Sequence, residues 1–349
     1  MVAVEVLLPE HRRCCVTCGG AVARARGGRP GRLRGTCPWC RAPFDLTPHL
    51  HAGALLPGRR ARWRVSGPLA RGGHAWLHAA VDPATGREGV LSRVRSAHGP
   101  EAGHLAAEEP EVLLALEHPG LVRVVDVIDG VGEADGDVGD PSRHLVLEPV
   151  PGGAVGAAGP LGPAAAARVV LDAVPALAHL HGHGLLHADL TPDHLRRDAA
   201  GRVVLIDVGS VRRIADRTSP VWTTEGYVAP EISPTGAGPS TASDVFALGR
   251  TLAALVAGPG SVRAGRPRPA DVLPSATDED PARRPDLPAL AAALGRLAQG
   301  GPDAVEPAVR GAPPDGSAPG RRDDVPASHR PRRRPARRAH GPHDARGAT

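Results

Sequence analysis

The stretch His187-Ala188-Asp189-Leu190-Thr191-Pro192-Asp193-His194, with Asp207-Val208-Gly209 after it, decides how this chain is read. Three phrases follow in order: Ala229-Pro230-Glu231, Ser243-Asp244-Val245-Phe246-Ala247-Leu248-Gly249 and Asp280-Pro281-Ala282-Arg283-Arg284-Pro285. Around them the chain contains no lysine and no asparagine, so all 42 of its Lys+Arg residues are arginine. Any chemistry that relies on an ammonium group or a side-chain amide at these positions has to be done by something else.

Upstream, Trp63-Arg-Val-Ser-Gly-Pro-Leu-Ala-Arg71-Gly72-Gly73-His-Ala-Trp-Leu-His78 alternates apolar residues around a glycine pair, the pattern of a strand, a turn and a strand. Gly89 to Val94 reads as a third strand, Glu108 to Leu116 as a short helix, and Leu121 to Val127 and His144 to Leu147 as further strands. After Pro151-Gly152-Gly153, Ala164 to His181 carries helical apolar spacing at Val169, Val170, Val174, Leu177 and Leu180, and helical patterns dominate to about Leu297. A mostly β half thus precedes a mostly helical half.

Cysteine usage adds a separate module. All five cysteines lie in the first 40 residues, and Cys15, Cys18, Cys37 and Cys40 form two Cys-x-x-Cys pairs with the spacing of a four-thiolate metal site. Four soft sulfur donors suit tetrahedral zinc, or iron in a rubredoxin-like site. A module this short buries little core, so bound metal would supply much of its folding energy. A structural knuckle is the first reading, with a redox-sensing or docking role as the alternative; Cys14 is expected to be a bystander.

These ordered motifs resemble the bacterial Ser/Thr protein kinases, and the cysteine pairs narrow the resemblance to the soluble, rubredoxin-linked protein kinase G family. That resemblance implies an α+β, two-lobed protein-kinase-like fold with an N-terminal four-cysteine, rubredoxin- or zinc-ribbon-like module. The expected organisation is a leader at 1–13, the metal module at 14–45, a linker at 46–61, a small lobe at 62–150, a large lobe at 151–300 and a disordered Arg/Pro-rich tail at 301–349. The resemblance also assigns roles. Asp189 matches the general base, Asp207 the acid that binds a divalent ion, and Thr224 the threonine placed beside the base, which favours Ser/Thr substrates. Glu148 and Val150 fall in the hinge that faces adenine, Arg284 would pair with Glu231, and the cofactors would be ATP with Mg or Mn.

Against these stand the substitutions. The strand lysine position is Ser92, with Arg93 one register away and so on the opposite face; the catalytic-loop lysine is Thr191; the metal-binding asparagine is His194. Imidazole is a poor ligand for magnesium and a better one for manganese. In the phosphate loop Ala70 and Ala75 replace outer glycines, leaving Gly72 as the central one beside Gly73, and Arg71 is the cation expected to approach the phosphates if any replaces the lysine. Glu109 matches the helix glutamate, but Pro110 follows it, which a helix tolerates only in its first turn.

The reading is therefore a Ser/Thr protein-kinase-fold signalling protein, weakly active or inactive, with a nucleotide- or partner-binding pseudokinase as the alternative. A weaker alternative is nucleic-acid binding through the knuckle and the tail, where nine arginines fall between Arg321 and Arg346. The expected partners are a protein substrate or signalling partner, without membrane insertion, and the expected compartment is the cytoplasm. His179, His181 and His183 are expected to end a helix rather than to bind metal, since no converging partner is identifiable in the sequence.

Overall fold

The computed structural model describes residues 8–10, 13–15, 20–25, 29–48, 50–71, 76–94, 105–131, 142–157, 159–216, 224–232, 238–258 and 272–300. Cys18, Gly72, Gly73, Ala75 and the 301–349 tail lie outside them.

The metal module is a pair of short antiparallel strands, β1 (Arg34–Thr36) and β2 (Pro43–Asp45), over a small core of Cys15, Val22, Cys37 and Leu46. β3 (Leu55–Pro57), β4 (Arg62–Arg71), β5 (Trp76–Val81) and β6 (Glu88–Val94) follow, then two short helices, α1 (Leu105–Glu108) and α2 (Pro110–Ala115), and strands β7 (Val124–Val131) and β8 (Ser142–Leu147). All six strands from β3 to β8 form one antiparallel sheet in the order β3-β4-β5-β6-β8-β7.

Two sequence expectations need correction here. The 46–61 segment is not a bare linker: β3 pairs with β4 at the sheet edge, and Leu50 packs with Trp63 in a core on one sheet face. The cause is Asp126, wholly buried, whose carboxylate accepts from the amides of Arg60 and Ala61 and from the Trp63 indole at 2.8–3.0 Å. Four donors on one buried carboxylate, counting the Val127 amide, satisfy its charge and pin the turn to β7. The helix expected at Glu108–Leu116 is shorter: Glu108 ends α1, Glu109 leaves helical geometry, and Pro110, which lacks an amide hydrogen, starts α2, which stops at Ala115.

The sheet has two unlike faces. Leu91, Val146, Ile128, Ala80 and Val65 pack with Trp63 on one side, where Gly89 leaves room for the indole because a Cβ there would lie 2.7 Å from it. Val90, Val94, Leu145, Leu147, Val124 and Val127 point the other way, into a continuous core shared with the helical half.

That half is built on α3 (Pro163–Gly182) and α4 (Thr241–Ala257), with α5 (Leu287–Ala298) against α3. Between α3 and α4 run the short strands β9 (Leu185–Leu186), β10 (Leu195–Arg197), β11 (Val203–Leu205) and β12 (Arg212–Arg213), in the pairs β9–β12 and β10–β11. The apolar positions read as one helical stripe, Val169, Val170, Val174, Leu177 and Leu180, are all buried. α3 is long and apolar enough to cross a membrane by length and composition, but half of that window is buried inside the protein. α4 starts with reciprocal bonds between Ser240 and Ser243, so two amides at its first turn are satisfied.

Candidate active site and metal module

The loop of residues 187–194 is held from below by α4. Asp244, 1% exposed, accepts from the amides of His187 and Ala188 at 3.0 Å and bonds the His181 ring at 2.9 Å. This fixes Ala188 in the left-handed region (φ 66°), which turns the next residue, Asp189, toward the surface. His187 is fully buried, its Nε2 donating to the Ile206 carbonyl at 3.0 Å. Burial, with the His194 ring nearby, keeps its pKa below the ordinary histidine value, so it is a neutral strut.

Asp189, Thr224, His194 and Asp207 converge. Thr224 donates both its amide, at 3.0 Å, and its hydroxyl, at 2.8 Å, to Asp189 Oδ1. His194 ends a turn of 3-10 helix, Pro192–His194, and its Nδ1 donates to the Asp189 carbonyl at 2.6 Å. Its Nε2 lies 3.2 Å from Asp207 Oδ2. Burial works against a charged His194 ring, but the carboxylates of Asp207 and Asp189 and the bond to the Asp189 carbonyl outweigh it and raise the pKa. Asp207 itself is left-handed (φ 64°), a conformation aspartate tolerates better than most residues. Thr191 is buried, 5% exposed, in the same loop.

The strand residues are placed apart from this group. Residues paired across an antiparallel ladder share a face, and Ala70 pairs with Leu77, Leu77 with Ser92, and Ser92 with Leu145, on the side of the larger core. Arg71 pairs with Trp76 and Arg93 with His144, on the other side. The Arg71 guanidinium lies over the Trp76 ring, 5.7 Å from its centroid. β4, β5 and β6 therefore offer Ala70, Leu77, Ala79, Val90, Ser92 and Val94 to the helical half, while Arg64, paired with Val81 further along, shares that face and is exposed.

Glu109 caps the start of α2, and its carboxylate meets the Arg213 guanidinium, 3.1 Å at Nε, across 104 residues of sequence. The bond and charge of Arg213 hold the Glu109 pKa below its ordinary value. Nothing in the sequence near Glu109 signals this pairing. Of the two residues expected at a hinge, Glu148 is exposed, its amide bound to the Arg123 carbonyl at 2.9 Å, while Val150 packs against the larger core.

Two charged residues complete the support. Arg284, side chain wholly buried, pairs both guanidinium ends with Glu231 at 2.7 and 2.8 Å and lies over the Phe246 ring, the pairing the family resemblance implies. Arg250, 3% exposed on α4, donates to the Gly226 carbonyl of the segment bearing Thr224.

In the N-terminal module, Cys15, Cys37 and Cys40 have sulfur atoms within 4.8 Å of one another, Cys15 and Cys40 at 3.6 Å. Cys15 and Cys37 are buried and Cys40 is exposed. Three converging thiols fit a thiolate-bound metal ion; Cys18, expected from the spacing as the fourth ligand, lies outside the described residues.

A two-lobed arrangement with His-x-Asp and Asp-x-Gly turns held on a buried Asp, and an Arg–Glu pair behind them, is the architecture of a protein kinase. A family model for the protein kinase domain matches residues 64–266, and one for the protein kinase G rubredoxin domain matches residues 1–50. The chain belongs to the protein kinase family. Within that family it is a bacterial-type Ser/Thr protein kinase chain with a protein kinase G rubredoxin domain. It is 32% identical over 262 residues to serine/threonine-protein kinase PknG of Mycobacterium leprae, covering 71% of this chain and 33% of that protein. To PknG of Mycolicibacterium smegmatis it is 33% identical over 274 residues, 77% of this chain and 34% of that one. The DNA damage-responsive serine/threonine-protein kinase RqkA of Deinococcus radiodurans is 34% identical over 220 residues, 60% of this chain and 30% of its own length. The chain thus spans about a third of the curated relatives it matches. A kinase domain uses a nucleotide and a divalent ion, and a rubredoxin domain a thiolate-bound metal.

Proposed function

We propose that this chain is a nucleotide-binding Ser/Thr protein kinase of strongly attenuated catalytic power. The observation that carries the reading is Asp189 held by the amide and hydroxyl of Thr224, with Asp207 and His194 beside it. In this reading Asp189 orients a substrate hydroxyl and accepts its proton. Asp207 and His194 hold the divalent ion, and the hinge at Glu148 and Val150 faces the adenine. ATP, with Mg or Mn, supplies the phosphoryl group that is transferred.

Attenuation follows from charge. Ser92 and Thr191 stand where two lysines would neutralise the transferring phosphoryl group, and the register of β4 and β6 turns Arg71 and Arg93 to the opposite sheet face. One lost charge-stabilising contact costs roughly 10²- to 10³-fold in rate, about 2.7–4 kcal/mol, and two such losses combine non-additively. The Cys15, Cys18, Cys37 and Cys40 module holds zinc or iron in the same proposal, and a protein is the substrate or signalling partner.

A second reading, a pseudokinase that signals by binding, is favoured by the pairing of Glu109 with Arg213, since Glu109 is then committed away from Ser92. Thermal-shift titration with ATP and Mg or Mn, joined to a radiolabelled transfer assay, separates the two. The proposal expects a metal-dependent ATP shift and a slow transfer that Asp189→Asn abolishes. A shift with transfer that is nil, or indifferent to Asp189→Asn, establishes the pseudokinase, and no shift at all rejects both.

A further inference from the structure

Two histidines one turn apart close helix α3, and a third reaches them from much earlier in the chain. The ring centroid of His179 lies 4.4 Å from that of His183 and 5.3 Å from that of His118, which follows α2. His181, between the first two, is already committed to Asp244 at 2.9 Å. The loop that carries His118 is fixed by its backbone. Gly120 donates its amide to His118 Nδ1 and Leu121 donates to the His118 carbonyl, both at 3.0 Å, while Val122 donates to the Leu205 carbonyl of β11 at 2.9 Å.

The hydrogen bonds assign the protons. A carbonyl oxygen only accepts, so the 2.8 Å contact from His183 Nδ1 to the His179 carbonyl places a proton on Nδ1 and leaves the lone pair on Nε2. Bonding one ring nitrogen to a backbone carbonyl is how proteins commonly orient metal-ligating histidines. His179 Nε2 is shut off from solvent and has no hydrogen-bond partner among the described residues, a costly state for a polar atom that nothing occupies. His118 is not a ligand: its Nδ1 accepts from the Gly120 amide, so its neutral ring carries the proton on Nε2. It packs on His179 as a wall. Burial keeps the His118 pKa below the ordinary histidine value, and burial with the two neighbouring imidazoles does the same for His179, so both rings are neutral at neutral pH.

The spacing suits one ion shared by two rings. Histidines at i and i+4 lie on the same helix face, the arrangement by which a helix presents two imidazoles to a metal. Two rings bound through nitrogen at about 2.0–2.1 Å, at a right or tetrahedral angle, place their centroids roughly 4.5–5.2 Å apart. The 4.4 Å between His179 and His183 is just short of that, and the His183 ring is exposed and so able to make the small adjustment. The pair also stands at the C-terminal end of α3, where the helix dipole favours a cation.

We propose that His179 and His183, walled by His118, form a two-imidazole site for a late first-row divalent ion of the zinc class, with water completing its shell. Imidazole suits zinc, copper and nickel, whereas magnesium and calcium take oxygen donors. The site is separate from the thiolate knuckle and from the Asp189, His194 and Asp207 group, and it does not depend on the nucleotide-binding reading. An ion there would clamp the end of α3, just ahead of the loop that begins at His187.

The test uses the full chain with its knuckle metal retained and Zn²⁺ as the probe, at neutral pH. Calorimetry compares the wild type with His183→Gln, His179→Gln and His194→Gln. The expected result is a Zn²⁺ affinity that falls by at least roughly 10-fold in each of the first two variants, the scale seen when even a partner behind a metal ligand is removed, and that persists in His194→Gln. Long-range proton–nitrogen spectra of the imidazoles should show the Nε2 signals of His179 and His183 moving together with Zn²⁺ while those of His181 stay. Because the His183 ring is exposed, His183→Gln should melt as the wild type does without added Zn²⁺ and lack the rise in midpoint that Zn²⁺ gives the wild type. Zn²⁺ binding as tight in His183→Gln as in the wild type, binding lost in His194→Gln instead, or no Zn²⁺ bound beyond the knuckle's would each overturn the proposal.

Discussion

The loop lattice of the helical half and the sheet of the β half have been treated very differently by this sequence. In the helical half every expected polar support is in place: Asp244 under His187 and Ala188, Thr224 on Asp189, Arg284 on Glu231. In the sheet Arg71 and Arg93 lie on the face away from that half, and Ser92 takes the strand position where the family resemblance expects a lysine. The contrast separates two demands that usually coincide. The lattice in the helical half is required to fold the loops, because buried charges left unpaired are costly. A cation on the sheet is required only for phosphate, so its loss leaves the fold untouched.

The largest break in this comparison is Arg284→Ala. It strands Glu231 in a buried site, and removing one partner of such a pair costs about 3–5 kcal/mol; urea unfolding should show it, and a loss under about 1 kcal/mol would mean the pair is peripheral. Ser92→Lys sharpens the other side. It should leave the unfolding midpoint nearly unchanged yet tighten ATP binding several-fold, with a further gain when Arg213→Ala frees Glu109 to meet the new ammonium. Equal ATP affinity in Ser92→Lys and wild type, by calorimetry, would show that Ser92 does not face the phosphates.

The smallest effect concerns the bracket that ties the turn before β4 to β7 and β8. Asp129 is bonded by Arg59 at 2.7 Å and Arg143 at 2.6 Å; burial acts to raise its pKa, but the two arginines bring it below the ordinary value. Its stabilising effect is thus full above the unfolded carboxylate range, about pH 4, and is lost as pH falls through the lower folded value. Asp129→Asn should slightly flatten the acid limb of a thermal melt. Partial exposure keeps the change small, and an unaltered limb would assign the bracket no linkage.

Much of this is legible in the chain, and the gaps have definite causes. The pairing of Arg284 with Glu231 follows from the family resemblance carried by the ordered motifs, and the structure holds it. The alternation of Val90, Ser92 and Val94 against Leu91 and Arg93 likewise follows from period two. Arg71 was not readable in that way. β4 carries irregularities between Val65 and Gly67 and between Pro68 and Ala70, each of which shifts the face on which later residues fall. The 46–61 segment was opaque because a three-residue strand shows no period, and its hold on the sheet comes from an aspartate far along the chain. Glu109 could be seen to precede a helix-starting proline, but its partner Arg213 is set by the tertiary fold alone.

The tight seat of Trp63 over Gly89, and the placing of Trp76 beneath Arg71, have an optical consequence. Of the four tryptophans, Trp63 and Trp76 are buried in the sheet half and Trp39 lies exposed on the cysteine module; Trp222 lies outside the described residues. Helices α3, α4 and α5 contain none. Among the described residues, indole emission is thus a colour carried by the knuckle and the sheet, while the helical dichroism is carried chiefly by α3, α4 and α5.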